Sequence, residues 1–187
     1  MNKKTRVRAK LNHGGEQIWT VRYSDQPPWQ VQAEAPDGAS FSAAGDDLFR
    51  ALQQVRRDLE AKGTILCCNG ARSNAHPSPA ASEHGAELVY LVPARRPACS
   101  LDLAPLLAPA PSRVVVSVSE QERRWQRIQS TPLGALRIAN PIGWWKKIDE
   151  AILGLRQWVP VETESGFVEW QSFRPRRGGP GSTAQRL

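Results

Sequence analysis

Cysteine is scarce in this chain: Cys67, Cys68 and Cys99 are the only three among 187 residues. An odd, low count argues against a disulfide framework and suits a reducing compartment, so a cytoplasmic location is expected. Cys67 and Cys68 are adjacent, and neighbours on a strand point to opposite faces, which is poor geometry for holding one metal together. No C-x-x-C pair occurs, so neither a structural zinc site nor any other metal or cofactor is expected. Long apolar runs are also missing: no stretch approaches the roughly 18 residues of a membrane-spanning helix, and no membrane association is expected. The opening MNKKTRVRAK is basic but leads into no apolar stretch, so it does not read as a secretory signal. Catalytic signatures are absent too. There is no carboxylate pair, zinc-helix motif, phosphate-cradling glycine loop or nucleophile elbow, and Gly14-Gly15 and Gly178-Gly179 flank no strand–helix junction.

What the chain does have is enough apolar content, 40%, to build one core, and a net charge of +7 that is unevenly spread. Lys3, Lys4, Arg6, Arg8 and Lys10 crowd the first ten residues without an acid, and Arg174, Arg176, Arg177 and Arg186 do the same in the last fourteen. The rest is slightly acidic. Residues 1–14 are therefore expected as a mobile basic arm and 174–187 as a disordered basic tail, with a core domain over 15–131 and a Trp-rich extension over 132–173 packed on it.

Periodicity supplies the elements. IWTVRYS (18–24) is β-branched and aromatic, and WQVQAEA (29–35) alternates strictly, with Trp29, Val31, Ala33 and Ala35 on one side. Asp37-Gly38 marks a hairpin turn into a return strand around Phe41. Leu48, Leu52, Val55 and Leu59 recur at four, three and four residues, which predicts a helix over 47–62 stopped by Gly63. Strands are expected at TILCC (64–68) and ELVYLV (87–92), with loop between them. A Pro-rich connector follows, with a short strand or turn around Leu101–Leu107, and RVVVSV (113–118) reads as a strand or extended segment. Ser119-Glu120-Gln121-Glu122 reads as a capping box opening a helix over 120–130, with Trp125 and Ile128 facing inward. WWKKIDEAILGLRQW (144–158) has helical spacing, and GFVEWQSF (166–173) alternates like a strand. The sum is an α+β fold: a mostly antiparallel sheet with helices packed on one face, plus a Trp-rich α/β extension. That extension either covers the main sheet or offers an aromatic contact surface.

The loop after the 64–68 strand holds the densest group of polar residues. Asn69-Gly70 suits a tight turn, and Arg72 suits a carboxylate or phosphate. Cys68 with His76 or His84 has the residue types of a nucleophile and its base. The same cysteines also fit a strand buried in the core, and Asn and Ser in such a loop also fit bonding to their own backbone. Within GDDLFRALQQVRRDLEAKGTILCCNGARSNAHPS, a Leu- and Arg-rich helix leads to a strand ending in Cys68-Asn69-Gly70-Ala71-Arg72, followed by Asn74 and Pro77-Ser78. This resembles a small, uncharacterised bacterial family with a C-N-G-[AS]-R-x-[DN]-x-x-P-S motif, and SVSEQERRWQRI is similar to its closing helix. The chain departs from it at Pro79-Ala80-Ala81-Ser82, where similar proteins carry a methionine- and glycine-rich turn. The resemblance implies the fold and carries no activity.

The function expected from these observations is a non-enzymatic protein-interaction module with an unidentified protein partner, in its sharpest form a bacterial immunity protein that neutralises a toxin. Asn69, Arg72, Asn74 and His76 in the loop and Trp144 on the later helix are the expected partner contacts. Weak, non-specific nucleic-acid binding through the basic termini is the alternative, and a Cys/His-dependent enzyme is a second.

Overall fold

The computed structural model describes residues 3–94, 98–130, 157–163 and 167–173. The fold is α+β. Five antiparallel strands form the main sheet in the order β4-β3-β2-β1-β5: β1 (Lys3–Leu11), β2 (Glu16–Tyr23), β3 (Trp29–Glu34), β4 (Ser40–Gly45) and β5 (Thr64–Leu66). Helix α1 (Leu48–Ala61) lies across its inner face. A second sheet, ordered β6-β7-β8, joins Ala75–His76, Leu88–Leu91 and Leu103–Pro105. The short helix α2 (Pro79–Glu83) sits between β6 and β7, and α3 (Val118–Gln129) follows the small sheet. β9 (Gln157–Glu162) and β10 (Val168–Phe173) make a separate hairpin.

The basic segment expected as an arm is β1, the strand between β2 and β5. Its charges misled: Lys4, Arg6, Arg8 and Lys10 occupy alternate positions, and Thr5, Val7 and Ala9 between them are buried. One face of this strand belongs to the core and the other carries the cations, as the two-residue period of a half-buried strand requires. The core forms where Val7, Ala9, Trp19, Val21, Tyr23, Val31 and Ala33 meet the α1 stripe. Leu48, Leu52, Val55 and Leu59 are all buried, each contributing about 2 kcal/mol of transfer free energy. Asp47 caps α1 by accepting from Arg50 N at 2.7 Å, and Gly63, at φ +77°, ends it.

Several expectations shift in detail. The helix expected over 120–130 starts two residues earlier. Ser117, not Ser119, caps it, and Val118 and Gln121 are its buried residues, while Trp125 and Ile128 are half-buried. Residues 112–114 form a turn rather than the start of a strand, and only Val115 bridges extended backbone, at Arg72. Ser78 and Pro79 supply a cap and a first-turn proline that start α2 inside a segment read as loop. The predicted 144–158 helix lies outside the described residues, except that Gln157 and Trp158 open β9. The 174–187 tail lies outside them as well.

Gly45 joins β4 to α1 in a close approach: a Cβ there would lie 2.6 Å from the backbone nitrogen of Ala51. Gly45→Ala must push helix and strand apart. It is expected to lower unfolding stability by about 1–3 kcal/mol, seen as a fall in the urea midpoint at unchanged slope.

Candidate functional site

Arg56 stands on α1 four residues after Leu52 and three before Leu59, so the buried stripe carries a guanidinium into the interior, where it is 1% exposed. Its Nη1 donates to Gln121 Oε1 at 2.8 Å and to the Gly70 carbonyl at 3.3 Å, and its Nη2 donates to the Val116 carbonyl at 2.5 Å. Nη2 also lies 3.2 Å from Glu60 Oε1. The Glu60 carboxylate in turn accepts from Val118 N, the first residue of α3, at 2.9 and 3.2 Å. A carboxylate there suits the partial positive charge of a helix start. Gln121 Nε2 then reaches the carbonyls of Gly70 (2.9 Å), Arg72 (2.8 Å) and Ala75 (3.4 Å). Burial pulls the Arg56 guanidinium down, and nearby Cys68 and Glu60 act the other way. One cation thus ties α1, the Asn69–Ala71 turn, the segment before α3 and α3 itself into a single polar hub.

That hub decides what the Cys68–Ser78 loop is. Asn69 is 4% exposed, with its Nδ2 donating to the Pro105 carbonyl at 3.2 Å. Gly70 has no room for a side chain: a Cβ would lie 2.5 Å from Leu106 Cδ1 and 2.8 Å from Leu52 Cδ2. Asn74 Nδ2 donates to Val92 O at 3.1 Å, and Val92 N donates back to Asn74 O at 2.8 Å, which joins β6 to the end of β7. His76 packs between Phe49 (centroids 5.5 Å apart) and Trp125 (3.6 Å, stacked at 8°), and its Nδ1 meets the Pro77 carbonyl at 2.7 Å. Arg72 is half-buried, and its Nε meets no acceptor among the described residues. No residue from 69 to 78 is exposed, so the loop expected to supply partner contacts is packed into the molecule. Trp144 lies outside the described residues.

Neither His76 nor His84 hydrogen-bonds to Cys68 among the described residues. Cys68 is wholly buried, and burial pushes its thiol up to about 11, with Arg56 the largest opposing influence. A nucleophilic thiolate needs the opposite shift. His76 bonds to Pro77 O, and His84 Nδ1 meets Ala80 O at 2.9 Å. Among the described residues, no group of three or more His, Cys, Asp or Glu is placed to hold a metal ion.

The feature with free bonding capacity is the outer edge of β4. Ala35 N donates to Ala39 O at 2.8 Å, which makes Phe41, Ala43 and Gly45 the residues bonded to β3 in this register. Ser40, Ser42 and Ala44 therefore turn their N–H and C=O groups away from the sheet. No strand among the described residues pairs there. At the opposite end of the sheet, the chain just past β5 is clasped: Asn69 N donates to Ala108 O (2.9 Å), Gly70 N to Leu106 O (2.8 Å) and Ala110 N to Cys67 O (3.0 Å). Beside the open edge, Ala44, Gly45 and Asp46 and the α1 residues Arg50, Gln53, Gln54 and Arg57 line a groove of 240 Å³. Arg57 bonds to Glu122 across to α3, while Arg50 Nη1 donates only to Gln53 Oε1, at 3.1 Å, among the described residues.

No protein-family model matches the chain, and no curated protein matches it. Among the described residues no helix is long and apolar enough to cross a membrane.

Two measurements check the buried chemistry. Arg56→Ala removes the cation beside Glu60 and the side-chain donor to the Val116 carbonyl from the interior and is expected to cost about 3–5 kcal/mol, whereas Arg57→Ala, which breaks an exposed pair, costs under about 1 kcal/mol; paired urea denaturation curves compare them. His76 is held down to about 4, mainly by burial. Between its ordinary value near 6.5 and about 4, the unfolded chain takes up a proton there that the folded chain refuses. Stability is therefore lost as pH falls through that window. His76→Phe keeps the ring stack and removes the titration, so its stability-against-pH curve should be flatter between pH 6.5 and 4.

Proposed function

We propose that the chain is a protein-interaction module that takes an extended segment of a partner protein along the open edge of β4. The single observation behind this reading is the pairing of an unprotected edge with a polar groove at its flank. β4 reads SFSAAG, with no charge, proline or bulge to discourage a further strand. Strand addition of this kind draws affinity from main-chain bonds and specificity from neighbouring pockets. Here the pocket is the α1 groove, where Arg50 has no carboxylate partner among the described residues and suits an acidic side chain two residues along an added strand.

The sharpest form of the reading is a bacterial immunity protein, with a toxin as the partner and the cytoplasm as the place of neutralisation. Small size and the lack of catalytic motifs support that form.

Ser42→Pro removes one outward N–H and no bond to β3, so the sheet keeps its ladder. The immobilised chain is expected to retain one partner from a lysate of its source cells. Ser42→Pro and Arg50→Glu are each expected to weaken the purified pair at least tenfold by calorimetry. Unchanged affinity in Ser42→Pro would rule out strand addition. Expressing the partner alone, and then with this chain, tests the immunity form: toxicity suppressed by the chain supports it, and a harmless partner ends it.

A further inference from the structure

The outer face of the main sheet is a second surface, independent of the β4 edge. Burial of Thr5, Val7 and Ala9 puts Lys4, Arg6, Arg8 and Lys10 on the opposite side of β1, at intervals of about 6.6 Å. The register places Arg22, Thr20, Ile18 and Glu16 of β2 directly beside them, and Ile65 of β5 beside Lys10. Gln30, Gln32 and Glu34 of β3 continue the face. Helix α1 packs on the other side of the sheet.

The charges on this face do not cancel. Arg8 pairs with Glu16 at 3.3 Å, and Arg22 pairs with Glu34. Lys4, Arg6 and Lys10 have no carboxylate partner among the described residues. Two apolar groups lie among these cations. Ile18, next to Arg8, is 56% exposed. Phe167, just before β10, lies over the other end of the ladder, with its centroid 4.6 Å from Lys4 Nζ and 4.5 Å from Arg6 Cζ.

We propose that this face binds single-stranded nucleic acid, its phosphates running along the Lys4–Arg6–Arg8–Lys10 ladder and its bases resting on Ile18 and the Phe167 edge. A straight row of cations on one strand suits a linear polyanion with regularly spaced charge better than the scattered carboxylates of a folded protein. An exposed isoleucine and a half-buried phenylalanine ring among the cations suit unstacked bases, which a duplex would keep hidden.

Anisotropy of fluorescein-labelled dT 20-mer and rU 20-mer, titrated with the full chain from 50 to 300 mM NaCl, tests this. Both oligomers are expected to bind. With three freed phosphate contacts, log K should fall with log salt at a slope of about −2. The double variant Arg6→Glu/Lys10→Glu should lose at least tenfold in affinity and show a flatter slope. Ile18→Ser should weaken binding severalfold at unchanged slope. All these positions face solvent, and far-UV circular dichroism checks that the variants remain folded. Three results would overturn the proposal: no binding at 50 mM salt, equal affinity in the charge-reversed double variant, or displacement of the labelled oligomer by poly-glutamate as readily as by unlabelled dT. The last would reassign the face to an acidic protein.

Discussion

The position of Arg56 is the constraint on which the arrangement depends. A guanidinium at 1% exposure is costly unless its donors are used, and here Nη1 and Nη2 are spent on Gln121, on two carbonyls and on Glu60, while Nε meets no acceptor among the described residues. These partners come from segments that no regular sheet or helix would otherwise hold in one place. The Asn69–Ala71 turn, the chain around Val116 and the start of α3 are all fixed relative to α1 by that one side chain. Apolar burial makes the sandwich of sheet and α1; the cation holds the Asn69–Ala71 turn, the chain at Val116 and the start of α3 against it.

Much of the first half was legible in the sequence because its signals are local. Trp29 to Ala35 alternates, Asp37-Gly38 turns, and the Leu48, Leu52, Val55, Leu59 spacing can only be a helix with one buried side. The N-terminal strand was missed because charge density outweighed alternation: Thr5, Val7 and Ala9 are small, and they sit between five cations. The loop after Cys68 was misjudged for a different reason. Asn69, Asn74 and His76 look like surface chemistry, yet their partners, Pro105, Val92 and Trp125, lie 18 to 49 residues away along the chain, and nothing in the local sequence announces them. Arg56 left a faint trace, because its four- and three-residue distances from Leu52 and Leu59 put it on the apolar stripe. The α3 cap slipped by two residues because Ser117 and Ser119 offer nearly equivalent starts, and the one two residues nearer the N-terminus lets Glu60 meet the first helical N–H.

The two edges of the main sheet have different fates, and chain order explains it. β5 is three residues long and runs directly into the Cys67–Gly70 segment, which the 106–110 stretch then clasps. β4 lies at the other end of a simple meander, and the chain leaves it at once for α1. Gly45 makes that exit tight enough for helix and strand to flank a common groove. The two faces are equally unlike: one is sealed by α1, while the other leaves Arg6, Arg8 and Lys10 exposed.

Helix α3 buries only Val118 and Gln121, so its attachment is almost wholly a matter of hydrogen bonds and one stacked ring. Lifting it off uncovers little hydrocarbon, and such an opening changes heat capacity and denaturant sensitivity far less than melting the sandwich beneath it. The molecule is thereby built in two tiers, a greasy base and a polar latch, and the latch can come undone while the base stays shut.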